Sequence, residues 1–508
     1  MKTYKLWPVL AAASLAAFTG IQACTDLDSD VFDQADAGKF PNNGIELSDV
    51  VGSTYAELRQ FYDQPYRLIE GTTDEMVVPT RGPDWYDNAH WQLMARHEWT
   101  PVFSDYLNDT WEWAYRVVAK ANINLVSLQT STLELQGKPA LIAELRVARA
   151  FAYFWLMDLY GGVPILTETT PAGNPPQNTR AEVFAFVESE IRAALPDLTE
   201  GKGGIYYGRF TKGAANAFLA KLYLNAETFT GTPRWAEALA AADAVINSPV
   251  AYALNPDFFA NFAINNSSLA STYNENIFVI PYDRILAPGM TWQMRTLHYA
   301  QGVVYGLNTN PWNGFSTRAE FYNTFADGDR RKAMWLEGLQ RDNAGNVIRF
   351  TDNVDNQNKE LNFTPQFSAL ERALANEGIR SVKYEIQRNN NRTDQDNDFV
   401  VFRFADVLLM KAEALLRTGN MGDALPPVNL VRARAGLPPV TSLTLDELLA
   451  ERGRELAWEG WRRNDLIRFG KWESPWQFKT NFETFRRLFP IPPRQLSNNP
   501  NLRQNPGY

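Results

Sequence analysis

Residues 448–472 constrain the fold more than any other stretch of this 508-residue chain. Their apolar side chains recur at helical spacing, and Glu451, Glu455 and Glu459 follow one another at every fourth position. Residues four apart stack on one helix face, so the pattern predicts one long amphipathic helix with neighbours on several sides. The apolar positions are Leu448, Leu449, Leu456, Trp458, Trp461, Leu466, Ile467 and Phe469.

The charged residues of this stretch allow two interpretations. Glu455, Glu459 and Asp465 could serve as acid and base in a catalytic site. They are interleaved with arginines at helical spacing, however, and the sequence offers no recognisable nucleophile or metal ligands beside them. We therefore predict a structural network in which these charges neutralise one another. The arginines are Arg452, Arg454, Arg462, Arg463 and Arg468.

Composition and motifs exclude several classes of function. The chain is 45% hydrophobic and 21% charged, which is typical of a globular protein, and its net charge of −9 gives no overall basic field for nucleic acid. The three histidines are isolated, and the sequence has neither a phosphate-binding loop nor a catalytic Ser/His/Asp order. We therefore expect that the protein is not an enzyme and binds no cofactor or metal. A run of alternating aspartates (Asp394, Asp396, Asp398) lacks the glycine and glutamate of a calcium loop, so we interpret it as a polar loop.

The N-terminus has the features of a processed secretory segment. Lys2 and Lys5 precede an apolar run at residues 6–18, and Cys24 is the only cysteine. The pattern predicts a signal peptide at residues 1–23, too short to span a membrane, and a lipidated Cys24. An ordinary signal cut nearby, which would leave a free thiol, is the alternative. The aspartate-rich residues 24–40 are then a solvated tether.

Helical patterns come in adjacent pairs at both ends of the chain. Between them, residues 251–397 are rich in Asn, Asp, Gly and Pro and have weak periodicity, which indicates an irregular insertion. The prediction is a mainly α fold in one domain, residues 41–508. Tetratricopeptide-like hairpins at about 41–250 and 398–470 form a platform, the loop-rich subdomain packs on it, and 471–508 is an extended tail. The helical patterns cover residues 47–61, 104–128, 139–160, 179–195, 212–228, 235–246, 399–416 and 423–435.

Four further segments carry a family resemblance when they are taken in order with Cys24 and the central helix. They are residues 144–164 (ELRVARAFAYFWLMDLYGGVP), 402–414 (FRFADVLLMKAEA), 428–438 (VNLVRARAGLP) and the ending 490–508. Over nearly its whole length the chain resembles the SusD/RagB family, glycan-binding outer-membrane lipoproteins of the Bacteroidetes. It departs from the family at Gly453, where a charged residue is more usual.

The resemblance implies a function as well as a fold. It implies a surface-exposed protein, anchored in the outer membrane by lipid, that captures an oligo- or polysaccharide without catalysis. It also implies delivery of that glycan to a SusC-like TonB-dependent transporter for nutrient uptake. Two alternatives remain open at this point: a peptide-binding or assembly scaffold built on the same hairpins, and a helical glycosidase.

The sugar site is predicted from the chemistry of the ligand. Sugar rings stack their C–H faces on Trp and Tyr, and their hydroxyls need polar partners, so we look for aromatics in loops flanked by polar groups. The loop at residues 72–91 and the insertion both meet this test, with Trp85 as the main platform. Aromatics on helices, such as Trp111 and Trp155, are expected in the core. The predicted binding residues are Arg81, Trp85, Tyr86, Asp87, Asn88, Trp91, Trp292, Tyr299, Tyr305 and Trp312.

Overall fold

The computed structural model describes residues 43–170 and 172–508 of the chain. The signal peptide, Cys24 and the acidic tether that the sequence predicts lie outside these ranges. The α-helices are α1 (Gly44–Leu58), α2 (Pro65–Gly71), α3 (His90–Arg96), α4 (Ser104–Thr130), α5 (Lys138–Tyr160), α6 (Arg180–Ala194), α7 (Lys212–Leu224), α8 (Ala226–Thr230), α9 (Trp235–Ile246), α10 (Thr272–Glu275), α11 (Trp292–Thr296), α12 (Gly302–Tyr305), α13 (Ala319–Tyr322), α14 (Phe404–Arg417), α15 (Met421–Arg434), α16 (Leu445–Leu456), α17 (Arg462–Arg468) and α18 (Pro493–Asn498).

The strands are short and pair two by two, always antiparallel. Strand β1 pairs with β3, β2 with β10, β4 with β9, β5 with β8, and β6 with β7. Their bounds are β1 (Met76–Val77), β2 (Asn276–Ile280), β3 (Ser316–Thr317), β4 (Trp335–Leu336), β5 (Gly338–Leu339), β6 (Arg349–Thr351), β7 (Asn358–Glu360), β8 (Asn362–Phe363), β9 (Arg380–Ser381) and β10 (Phe399–Arg403).

The long helices form the platform. Helix α4 packs on α5, α5 packs on α6, and α1 packs on α4. Farther along the chain α7 packs on α9, α9 on α14, and α14 on α15. Helix α5 is the centre of this layer, because nearly every side chain from Leu145 to Tyr160 is buried. A helix that is apolar on all sides needs neighbours on all sides, and the mainly helical prediction is confirmed.

The β2–β10 ladder joins the irregular segment to the platform, and it corrects one prediction. Residues 399–403 were expected to begin the following helix, but they form β10, whose Phe399 pairs with Ile280 of β2. Every residue of both strands is buried. A short apolar run that is buried on both faces has no alternation to distinguish it from a helix.

The central helix is also different from the prediction, because it is broken. Helix α16 ends at Leu456, α17 begins at Arg462, and Trp458 and Gly460 between them have left-handed φ values of 59° and 82°. A side chain pays a steric penalty in this conformation, whereas glycine does not. The single long helix is therefore wrong, although each half is helical.

Side chains from the start of the chain stabilise the break. The Glu75 carboxylate accepts a hydrogen bond from the backbone N–H of Trp458, and Glu70 accepts one from Gly460, each at 3.0 Å. The Tyr66 hydroxyl donates to the carbonyl of Trp458, also at 3.0 Å. These bonds satisfy backbone groups that leave the helical pattern, so distant residues replace the intrahelical partners.

The charged residues of this region form a buried ionic network, as predicted, but many of the partners come from elsewhere. Asp465 accepts from Arg452 at 2.7 Å and from Arg468 at 2.6 Å within the stretch. Glu455 is paired instead with Arg331 at 2.9 Å and with Arg403 at 2.5 Å. Arg434, which also pairs with Glu455, holds the pKa of this carboxyl well below its usual range despite its burial, and Arg403 and Arg331 add to the effect.

The C-terminal tail is more ordered than an extended surface segment. Residues 493–498 form α18, and Phe489 and Ile491 are completely buried. The side-chain amide of Asn505 donates to the carbonyls of Tyr160 and Phe489, which holds the tail against the end of α5. The prediction of an extended tail is corrected accordingly, because residues 493–498 are helical and the apolar residues of the tail complete the core.

The aspartates of residues 394–398 accept hydrogen bonds from backbone N–H groups of the loop at residues 282–289. Asp394 accepts from the backbone N–H of Gly289 at 2.8 Å, Asp396 from Arg284 at 2.8 Å, and Asp398 from Tyr282 at 2.7 Å. In the described ranges no group of three or more His, Cys, Asp or Glu side chains is arranged to hold a metal. Nor does any described helix have the length and apolar character needed to cross a bilayer.

Candidate functional site

The loop before α3 has an unusual backbone. Trp85, Asp87, Asn88 and Ala89 all have left-handed φ values, between 40° and 64°. Non-glycine residues in this region cost conformational energy, and such strain persists only where the surroundings impose it. The Asp87 carboxylate ties the loop to α3, because it accepts from the indole N–H of Trp91 at 2.8 Å. The loop therefore holds its exposed side chains in fixed positions.

Trp85 connects this loop to a second one that is distant in sequence. Its indole N–H donates to the carbonyl of Trp312 at 2.5 Å. Its ring contacts Phe315 and Trp91 at centroid distances of 5.7 and 5.8 Å. It also lies against Gly314, where an added Cβ would come within 2.3 Å of the indole. Glycine at this position is what allows the ring to lie on the backbone.

The second loop, residues 311–315, is fixed by α11. The backbone N–H groups of Asn313 and Gly314 donate to the carbonyls of Leu297 and Arg295 at 3.0 and 2.9 Å. The Asn313 side chain is buried and accepts from the Arg380 guanidinium at 2.7 Å. The loop thus has little freedom, and its Trp312 side chain remains 39% exposed.

Tyr299 supplies a third aromatic side chain. Its ring lies over His298 at 3.9 Å, and its hydroxyl donates to the carbonyl of Thr351 at 3.3 Å. Burial raises the pKa of Tyr299 to about 12, with the nearby charge of Asp352 adding to the effect, so the hydroxyl stays neutral and able to donate.

Together these residues form an open aromatic groove, which encloses about 490 Å³. Four of the predicted binding residues meet there, from segments more than 200 residues apart in the chain. Asp84 and Pro311 line it as well, and sequence reasoning missed both. Asp84 could have been predicted from the sequence, because it is a carboxylate directly next to Trp85 in the same loop. The lining residues are Asp84, Trp85, Asp87, Tyr299, Pro311 and Trp312.

Three predicted binding residues are buried and are corrected here. Trp292 is completely buried against Tyr384 and Trp458, so it offers no face to a ligand. Trp91 is 3% exposed and supports the loop from below. Arg81 is 1% exposed, and its guanidinium donates inward to Ser316 and to the carbonyl of Glu377. Its role is to position the loop, because its charge is directed into the protein.

The other predicted residues lie outside the groove lining. Tyr86 is 56% exposed, and Asn88 is exposed on the same strained loop. The Tyr305 ring is half-buried beneath the guanidinium of Arg388, 5.1 Å from the ring centroid. Tyr86 and Asn88 could meet a ligand that extends beyond the groove, and for them the prediction stays open.

Two other grooves are slightly larger, at about 550 Å³ each, but they lack an aromatic platform of this kind. The first lies between α4 and α18, and its Trp111 is 4% exposed with the ring turned into the core. The second lies between α13 and α16 and contains Phe321, which is also 4% exposed. Each has one further, half-buried aromatic side chain, Tyr115 in the first and Trp476 in the second, so neither combines three partly exposed aromatic rings.

The aromatic groove is suited to binding. Its rings provide flat apolar faces, while the carboxylates of Asp84 and Asp87 provide acceptors for hydroxyl groups. Because the loops are fixed before a ligand arrives, little conformational entropy is lost on binding.

Comparison with known proteins agrees with the resemblance read from the sequence. Residues 274–508 match the model of the SusD family, and residues 35–224 match a model described as starch-binding, associating with outer membrane. The chain is 26% identical to the starch-binding protein SusD of Bacteroides thetaiotaomicron, over 100% of both chains. It is 25% identical to a SusD-like protein of Bacteroides ovatus, over 88% of this chain and 79% of the relative.

Solved structures share the fold. Surface glycan-binding protein A from Bacteroides thetaiotaomicron superposes with a TM-score of 0.73 at 22% identity, covering 92% of this chain and 99% of that one. The same protein in complex with laminarihexaose gives 0.72 at 23% identity, covering 91% and 99%. The four segments that suggested the resemblance lie inside the matched ranges, and the first three contribute to platform helices α5, α14 and α15. The chain belongs to the SusD family.

Proposed function

We propose that this chain is a cell-surface glycan-binding lipoprotein that captures an oligo- or polysaccharide in the aromatic groove and passes it to a TonB-dependent outer-membrane transporter. The observation that carries the proposal is the groove itself, in which Trp85, Tyr299 and Trp312 are accessible beside two carboxylates. Stacking of sugar rings on such faces, combined with hydrogen bonds to hydroxyls, is sufficient for binding without catalysis.

The relatives support a glycan as the ligand. One is named a starch-binding protein, and one similar structure holds laminarihexaose. Starch and laminarin are both neutral glucans, so they are suitable first members of a test panel. Peptide cargo is the alternative that the same panel tests.

Truncation of Trp312 is expected to weaken glycan binding strongly. Loss of a central aromatic anchor commonly costs about 2 kcal/mol, close to 30-fold in Kd. Trp312→Ala is the cleanest variant, because its exposed ring is removed while the carbonyl that accepts from Trp85 remains. Gly314→Ala is the second, since the added methyl must displace the Trp85 indole. Calorimetry against starch and laminarin oligosaccharides measures both.

The matched control is Trp235→Ala, which removes a half-buried tryptophan on α9, outside the groove lining. Its Kd should equal that of the wild type. Circular dichroism of all variants checks that the fold is kept. Wild-type protein that binds no glycan in the panel but binds peptides would contradict the proposal, as would sustained release of reducing sugar.

Anchoring through Cys24 and delivery to a transporter complete the proposal. They are supported by the family resemblance and by the outer-membrane association in the description of the matched model. We expect the tagged chain to fractionate with outer membranes and to co-purify a TonB-dependent transporter.

Cys24→Ala should move the chain to the soluble fraction, because two or more acyl chains are what holds such a protein at a membrane. An alanine variant that stays in the membrane would contradict the anchor.

A further inference from the structure

The groove carries a one-sided charge. Its lining includes the carboxylates of Asp84 and Asp87 and neither lysine nor arginine. The Asp84 carboxylate accepts a hydrogen bond through one oxygen, from the side-chain amide of Asn353 at 3.1 Å. Asp87 accepts through one carboxylate oxygen, from Trp91 at 2.8 Å and from the Tyr106 hydroxyl at 3.3 Å. Acceptor capacity therefore remains on both carboxylates for a ligand.

The charged groups next to Asp84 and Asp87 do not cancel the negative charge of the groove. The Arg81 guanidinium lies behind the loop and is directed inward, towards Ser316 and the carbonyl of Glu377. Arg67 is paired with Asp63 at 2.8 Å. His90 stands near Asp87, and burial lowers its pKa, so its ring is neutral at neutral pH.

We infer that the groove selects uncharged glycans and rejects polyanionic ones, and that Asp84 and Asp87 are the residues that determine this specificity. The inference rests on the proposed function. Neutral hydroxyls donate to the carboxylates in charge-assisted hydrogen bonds. A uronate or sulfate group brings only acceptors and a like charge, so it meets repulsion and leaves the carboxylates without donors. Each close like-charge contact in a partly solvated groove weakens binding by about tenfold.

The test uses one polymer in three forms: laminarin, carboxymethyl-laminarin, and hydroxyethyl-laminarin with the same degree of substitution. The hydroxyethyl form controls for the bulk of the substituent. Wild-type protein should bind laminarin and hydroxyethyl-laminarin, and it should bind the carboxymethyl form about tenfold to a hundredfold more weakly at low salt. The difference should narrow in 0.5 M salt, because the Debye length then falls to a few ångströms. Soluble starch and carboxymethyl starch form a parallel pair.

The double variant Asp84→Asn, Asp87→Asn should bring the ratio of neutral to anionic Kd close to one. Asparagine tolerates the left-handed backbone of Asp87 and can still accept from Trp91, so the loop is retained. The ratio is the readout, because a merely structural defect would weaken both polymers alike. Asp327→Asn, an exposed aspartate paired with Lys332 outside the groove lining, should leave the ratio unchanged.

The outcomes separate the two claims. If no neutral glycan binds, the proposed function fails and this inference fails with it. If laminarin or starch binds and the carboxymethyl form binds equally well, the inference alone is overturned. The inference is also overturned if the double variant keeps the wild-type ratio.

Discussion

Replacing Arg403 by methionine should destabilise the protein by about 3–5 kcal/mol, the range found when one partner of a buried ion pair is removed. The Arg403 guanidinium donates to Glu459 at 2.8 Å, to Glu275 at 2.9 Å and to the carbonyl of Glu455 at 2.6 Å. All four side chains are at most 1% exposed. Methionine fills a similar volume but removes the positive charge that the three buried carboxylates share. Urea denaturation followed by tryptophan fluorescence measures the loss.

Arg349→Met is the matched control. Arg349 pairs with Glu360 at 2.6 Å, a comparable distance, but the two side chains are 57% and 47% exposed. Exposed pairs of this kind contribute about 0–1 kcal/mol, since water solvates both ions after the pair is broken. Arg403→Lys, which keeps the charge and loses the planar fork, should be intermediate. A free energy of unfolding for Arg403→Met within 1 kcal/mol of the wild type would show that the network contributes little.

The second large effect is a loss of stability as the pH rises, caused by Glu70. Burial raises the pKa of Glu70 to about 8, and it raises the pKa of the neighbouring Glu75 as well. The Oε1 atom of Glu75 is buried without a hydrogen-bond partner and lies 3.6 Å from Nε of Arg462. Lys383 and Arg462 lower these pKa values, but burial is the larger influence on both groups.

The sign of the effect follows from proton linkage. Folded protein holds a proton on Glu70 up to about pH 8, whereas the unfolded chain releases it near pH 4.5. The folded state therefore binds more protons between these values, and the free energy of unfolding falls as the pH rises through that window. For one group the slope is at most about 1.4 kcal/mol per pH unit.

The variant Glu70→Gln tests this prediction, because an amide has nearly the shape of the neutral acid and does not titrate. Wild type and variant should therefore have similar stability near pH 5, and the variant should become progressively more stable than the wild type as the pH rises to 8, with urea midpoints measured at each pH. Glu182→Gln serves as the control. Hydrogen bonds from Thr179 lower the pKa of Glu182, so its titration affects stability only at acidic pH. Parallel pH profiles for wild type and Glu70→Gln would contradict the assignment to Glu70.

Sequence reasoning located the candidate site only in part, for a physical reason. It chose aromatics in loops, and Trp85, Tyr299 and Trp312 do line the groove. It chose Trp292 by the same rule, yet that indole is completely buried. Composition distinguishes loops from helices, but exposure depends on which distant segments pack over a loop. Arg81 illustrates the same limit, because its inward direction is set by carbonyls almost 300 residues away.

The sequence by itself determined the mainly helical class, the position of the platform helices and the ionic character of residues 448–472. These properties follow from local periodicity, which reports how each segment divides its apolar and charged faces. Only the tertiary structure decided that this stretch breaks at Trp458, that residues 399–403 form a strand, and that two loops meet through the bond between Trp85 and Trp312. Each of these depends on partners far away in the chain, such as Glu75 for the break, and local spacing contains no information about them.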